Sequence, residues 1–430
     1  QSDVRYDVAW RSMGEYLSHL ESRGVAPNVA SFVGATTVRI HVLGEVARPP
    51  TAAEQLQMEA LVDAAMREGA MGVGASLIYA PACYAATPEL IGLAAVAGRH
   101  DGLYIAHLRS EGATFLEALE EHVRIAREGN VRAEVYHLKA AGRSYWHKLD
   151  AAIARIEAAR SEGVRLTADM YTYEAGSTGL DAAMPPWVQE GGHRAWVARL
   201  RTPEIRARVV AEMQAPASGW ENLFYETGAD GMLLGSFQTT RLQPLAGRTL
   251  ADVARERGTS PAETAIDLVI EDDTRVGTIY FMMDQANVRR QMALPWVSFG
   301  SDSPSVAPEG PYRTKHLHPR AYGTFARVLG KYARDEKALS LPEAVRRLSA
   351  LPAANLGLRD RGRLTPGMYA DVVTFDPETV TDHATYVRPH ALATGVRDVV
   401  VNGAFALRDG APTRAMPGRF VRGPGWTGHP

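Results

Sequence analysis

Short apolar runs alternate along this chain with stretches of 3.6-residue apolar periodicity, and no other feature constrains the fold so strongly. NVASFVG (28–34), GVGASLIY (72–79), GLYIAHL (102–108), AEVYHL (133–138) and RLTADMY (165–171) read as strands, with helical patterns between most of them. Helix starts are well marked. Thr51 with Glu54, Ser260 with Glu263 and Ser340 with Glu343 have capping-box spacing, and Thr87 precedes Pro88 at a first-turn position. Strand, helix, strand at this pace implies parallel βαβ units. Burial on both faces then explains why the strands are apolar without alternation.

Two architectures suit such a run, an open doubly wound sheet and a closed (β/α)8 barrel of roughly 250 residues. A nucleotide-binding sheet would carry a glycine-rich turn after its first strand, and no G-x-G-x-x-G occurs there. In a barrel, functional side chains gather at the C-terminal ends of several strands. His107 ends one apolar run and His137 stands at the end of the next, while WVSFGSDSP (296–304) ends at Asp302. The pattern therefore favours an α/β, TIM-like barrel.

The remaining features set limits on class. The 430 residues carry a net charge of −2, which argues against a nucleic-acid surface, and no apolar stretch reaches the roughly 18 residues of a membrane span. Neither a nucleic acid nor a membrane is expected as a partner. A single cysteine, Cys83, excludes an internal disulfide and suits a reducing, cytoplasmic compartment. The rhythm breaks from about 180 to 290, which reads as an insertion over the barrel mouth. The boundaries expected are a barrel over 1–350 and a small β-sandwich-like domain over 351–430, where alternating strands replace the βα pattern.

Neutral imidazoles at neighbouring strand ends can share one metal ion, and Asp302 could serve beside it as general base and acid. Each also has a plainer reading: a strand-end histidine is commonly a hydrogen-bonded core residue, and an aspartate in GSDSP commonly forms a turn. Cys83 reads better as a small loop residue than as a ligand, and HLH (316–318) better as a loop than as a ligand pair.

Taken in order, HLRSEG, HLKAAG, ADMYTYEAGSTGL, FGSDS, HPRAYGTFARVLG and the tail DRGRLTPGMYADVVTFDP resemble the N-acyl-D-amino-acid deacylases (D-aminoacylases) of the amidohydrolase superfamily. The resemblance implies zinc-dependent hydrolysis of the amide of a small-molecule N-acyl-D-amino acid. It places His107 and His137 on the zinc-ligand histidines and Asp302 on the catalytic aspartate. Arg320, Lys139, Tyr171 and Ser177 fall on residues that hold the substrate, and Arg109 and Glu111 are left to shape the loop or the surroundings of the ligand histidines. The family pattern also begins with strands of the small domain, a His-x-His strand and an Asn-Cys-Gly cysteine ligand, none of which precedes residue 28. By that pattern the chain holds six of eight barrel strands and part of the small domain, with a missing N-terminal segment as partner. Two rival readings are another amidohydrolase, such as a cyclic-amide hydrolase or a D-residue dipeptidase, and a non-catalytic binding fragment without a complete metal site.

Overall fold

The structure is a computed structural model and describes residues 7–216 and 219–428. Its strands, in chain order, are β1 (Val33–Gly34), β2 (Gly72–Ser76), β3 (Leu103–His107), β4 (Arg132–Val135), β5 (Leu166–Met170), β6 (Gly176–Gly179), β7 (Met232–Ser236), β8 (Gly277–Tyr280), β9 (Val297–Phe299), β10 (Val372–Phe375), β11 (Val396–Val401), β12 (Ala404–Arg408) and β13 (Ala411–Pro412).

Six of them make the central sheet in the order β1-β2-β3-β4-β5-β9, with every pair parallel. Helices Ala35–Leu43, Ala52–Arg67, Thr87–Arg99, Phe115–Glu128 and Leu149–Ser161 supply the crossovers. The apolar runs of the sequence are these strands, shortened: of 28–34 only Val33–Gly34 joins the ladder, with Val29 bridged separately to Phe420. Among the described residues β1 and β9 are the sheet's two ends and do not pair with each other, so the sheet is open between them. A parallel α/β sheet is therefore present, as expected, but a closed eight-strand ring is not seen among the described residues.

Helix starts follow the capping chemistry unevenly. At Thr51 both arms of the box form, whereas Ser260 and Ser340 accept only the Glu263 and Glu343 N–H groups. The Glu343 carboxylate is drawn off to Arg346 at 2.7 Å. Thr87 lies inside its helix, its hydroxyl donating to Glu121 at 2.8 Å. Glycine is required where strands crowd: at Gly72, φ +154°, a Cβ would lie 1.8 Å from the Leu103 carbonyl oxygen.

Between β5 and β9 the chain leaves the sheet and builds an antiparallel sheet of its own, β6-β8-β7, packed with Leu180, Trp196, Leu234, Ile266 and Tyr280. β10 to β13 form a second antiparallel sheet, order β10-β11-β12-β13, whose residues are half-buried or exposed. One buried cation fixes the last parallel strand. Arg347 donates to the carbonyls of Val297 and Met292, both at 2.6 Å, and so ties helix Leu341–Leu348 to the base of β9.

Candidate metal centre and active site

Parallel pairing brings the C-terminal ends of the strands to one edge, Ser76 opposite His107 and Met170 opposite Phe299. His107 closes β3, Tyr136 and His137 follow β4, Tyr171 follows β5, and Gly300–Asp302 follow β9. His107, Tyr136, His137, Tyr171 and Asp302 line one cavity of about 120 Å³, together with Glu111, Lys139, Ser177 and Glu221.

At its floor, His107 Nδ1 lies 3.0 Å from His137 Nε2. Glu111, one turn beyond His107, places Oε1 3.1 Å from His137 Nδ1 and Oε2 3.5 Å from His107 Nε2. One ligand atom from each of His107, Glu111 and His137 lies within 4.8 Å of the others, and all three residues are buried. Glu111 is thus more than the loop brace expected from the sequence. Arg109 does brace a loop, donating to the Cys83 and Ala85 carbonyls at 2.9 and 2.7 Å and pairing with Glu121.

The residues suit a metal ion. Burial pushes the His107 imidazole down to about 3 and holds His137 well below its ordinary value, so both are neutral, the form that ligates. His107 Nε2 is buried without a hydrogen-bond partner. Two histidines and a glutamate form one of the three-ligand sets of catalytic zinc.

The residues around this floor hold it in place. His137 has φ +43° and Asp302 φ +46°, backbone states that cost of order 1–3 kcal/mol and persist only where neighbours enforce them. The His137 N–H donates to the Asp169 carboxylate. Burial first, then Glu134, raises the Asp169 carboxyl well above its usual range. Asp302 Oδ1 accepts from the Tyr136 hydroxyl at 2.8 Å, and Oδ2 lies 2.7 Å from Arg320 Nη1. Arg320 is buried over the Tyr171 ring, 4.5 Å from its centroid, and its Nε has no hydrogen-bond partner.

Not every expected substrate contact is free for one. Lys139 Nζ bonds Glu111 Oε1 and His137 Nδ1, both at 2.7 Å, inside the cluster. Ser177 is exposed on β6, where its carbonyl faces Arg320 Nη2 at 3.5 Å. Neither alternative ligand is near. His316 and His318 turn Nε2 to the Tyr386 and Ala175 carbonyls, and the Cys83 thiol sits in a short turn where burial pushes it up to about 11.

Sequence reasoning passed over Tyr136, Asp169 and Glu221. Glu221 comes from the excursion at 180–290 and accepts the Glu111 N–H, and burial beside Glu111 raises its carboxyl to about 8. Asp169 was detectable as an acid inside an apolar strand; Glu221 left no signal.

A parallel α/β sheet with histidine, glutamate and aspartate converging on its C-terminal edge defines a metal-dependent hydrolase. The chain belongs to the Amidohydrolase family, whose pattern matches residues 5–406. It is 34% identical over 410 residues to a D-aminoacylase of Alcaligenes xylosoxydans xylosoxydans, covering 95% of this chain and 72% of that one. An N-acyl-D-glutamate deacylase of the same organism is 33% identical over the same length. Among solved structures, a D-aminoacylase described as having a binuclear metal centre superimposes with a TM-score of 0.78 at 33% identity, covering 96% of this chain and 75% of that one. An N-acyl-D-glutamate deacylase from Bordetella bronchiseptica, complexed with zinc and a phosphonate inhibitor, gives a TM-score of 0.78 at 31% identity and the same coverage.

Proposed function

We propose that the protein hydrolyses the amide of N-acyl-D-amino acids, releasing a carboxylate and a free D-amino acid, with zinc held by His107, His137 and Glu111. The observation that carries this reading is the meeting of that three-residue cluster with Asp302 in one cavity. The bound ion would supply Lewis acidity and bring the pKa of water from 15.7 to about 7.

The protein's own groups do the rest. Asp302 takes the proton of the attacking water and passes it to the amide nitrogen as the C–N bond breaks. Tyr136 and Arg320 hold the Asp302 carboxylate from two sides, which fixes the direction in which it accepts the proton. The α-carboxylate of the substrate is assigned to Arg320, whose buried Nε has an unused donor and whose planar fork matches a carboxylate. Tyr171 orients Arg320 from below, and Ser177 lines the mouth. Lys139 reaches substrate only by giving up its bond to Glu111 or His137, so its first role is to hold those two side chains. The preference for the D-enantiomer rests on kinship with the deacylases.

The test is metal content together with hydrolysis of N-acetyl-D-methionine and N-acetyl-L-methionine. D-selective turnover that depends on bound zinc is expected, and Asp302→Asn should lower kcat by about 10²–10⁴-fold while retaining the metal. Equal turnover of both enantiomers, or an Asp302→Asn variant of unchanged kcat, would overturn the assignment.

A further inference from the structure

A cleft away from the metal centre has a chemistry of its own. It lies between segment 313–316 and loop 383–391, with Gln243 and Ala246 of the excursion forming its third side, and has a volume of about 680 Å³. That is the size of a small-molecule site, typically about 300–1,000 Å³. Arg313, Lys315, His316, His383, Arg388 and His390 line it, and among the described residues no aspartate or glutamate does. The chain as a whole carries 49 acidic against 47 basic residues, so the cleft concentrates charge that is elsewhere balanced.

Two further observations point the same way. Exposed arginines of this protein commonly pair with carboxylates, as Arg67 does with Asp63, Arg124 with Glu128 and Arg289 with Glu336. Arg313 and Arg388, both exposed, pair with none among the described residues, which leaves two guanidinium forks open. Three imidazoles are meanwhile anchored through Nε2: His316 to the Tyr386 carbonyl, His390 to the Lys315 carbonyl at 2.7 Å, and His383 to Thr394 Oγ1 at 2.8 Å. The opposite nitrogen of His390, Nδ1, is buried with no partner at all. Because Nε2–H is given to a carbonyl, this nitrogen is an acceptor, and the O–H of a hydrogenphosphoryl or hydroxycarboxylate ligand can donate to it.

We infer that this cleft binds a small oxyanion of two or more charges, phosphoryl or carboxyl in kind. Guanidinium forks pair with either group through two parallel bonds, and a cleft walled on three sides selects a small molecule over an extended polymer. Its wall is also the segment that sets Arg320. The His316 N–H donates to the Gly235 carbonyl at 2.6 Å, and two residues later His318 Nδ1 accepts the Arg320 N–H at 3.0 Å.

Titration calorimetry of the full-length protein at low salt, with pyrophosphate, citrate and acetate as probes, tests the inference. Pyrophosphate or citrate should bind one to one and at least tenfold more tightly than acetate, and added salt should weaken the binding. Tighter pyrophosphate identifies a phosphoryl ligand, tighter citrate a carboxyl one. Replacing both arginines, Arg313→Ala with Arg388→Ala, should weaken either probe at least tenfold at an unchanged melting temperature, and Arg388→Glu alone should do the same. Binding no tighter than acetate overturns the proposal. So does binding that both variants retain, because the anion would then be held at the metal centre.

Discussion

At the scale of residues, the least expected member of the site is Glu111. HLRSE places it four positions after His107, a spacing without meaning in a strand, and only the turn after β3 folds it back against both imidazoles. His107 and His137 were legible because strand ends in a parallel sheet converge by geometry. Glu111 was not, because a turn has no period to read. Replacing it should be costly in two ways. Glu111→Gln should weaken metal affinity by at least 10–100-fold in competition with a chelator, the loss seen even for groups that only support ligands. It also leaves the buried Lys139 ammonium without its anion, at about 3–5 kcal/mol in unfolding free energy. Full metal affinity in Glu111→Gln would reduce Glu111 to a counter-ion for Lys139.

At the scale of elements, two buried polar groups decide how helices sit on the sheet. Arg39, on helix Ala35–Leu43, is 1% exposed and pairs at 2.5 Å with Glu89 of helix Thr87–Arg99. Its Nη2 also donates to the Arg48 carbonyl. Arg39→Ala should destabilise the fold by about 3–5 kcal/mol in denaturant titration, since Glu89 would be left charged and dry. Arg39→Met with Glu89→Leu should recover most of that loss. His122, on helix Phe115–Glu128, is buried with its ring 5.4 Å from that of Tyr104, and burial pushes it down to about 4. The unfolded chain takes up this proton near pH 6.5 and the folded chain does not, so the contribution of His122 is present above 6.5 and is lost as pH falls toward 4. The stability difference between the wild type and His122→Gln should therefore drop by about 2 kcal/mol from pH 7 to 4.5. A flat difference would show that the imidazole is protonated in place. The sequence indicated these helices through their caps and periods, but which of their polar residues would be buried depended on partners far along the chain.

At the scale of the molecule, three apolar clusters lie side by side: one around β1 and β2, one under the helices of β3 to β5, and one inside the excursion between β5 and β9. The metal centre stands over the strand edge and draws Glu221 from the excursion, so metal and fold should be coupled. A ligand that binds only the folded state stabilises it by about 4 kcal/mol at a thousandfold excess over Kd. Stripping the metal with a chelator should accordingly lower the melting temperature, and restoring it should return both the melting temperature and activity; an unchanged melting temperature would place the metal elsewhere. No helix among the described residues is long and apolar enough to cross a membrane.

What the sequence by itself determined is local and periodic. The run of βα units, the strand-end histidines 107 and 137, Asp302 after the last parallel strand and the turn to antiparallel strands in the tail all follow from patterns a few residues long. What only the tertiary structure decided is long-range: Glu111 and Glu221 meeting 110 residues apart, Tyr136 reaching Asp302 across 166, and Arg320 turning to the same carboxylate. Such contacts carry no local period. They exist because parallel strands, once paired, bring distant turns to one edge, where buried charge must find a partner or remain unpaid.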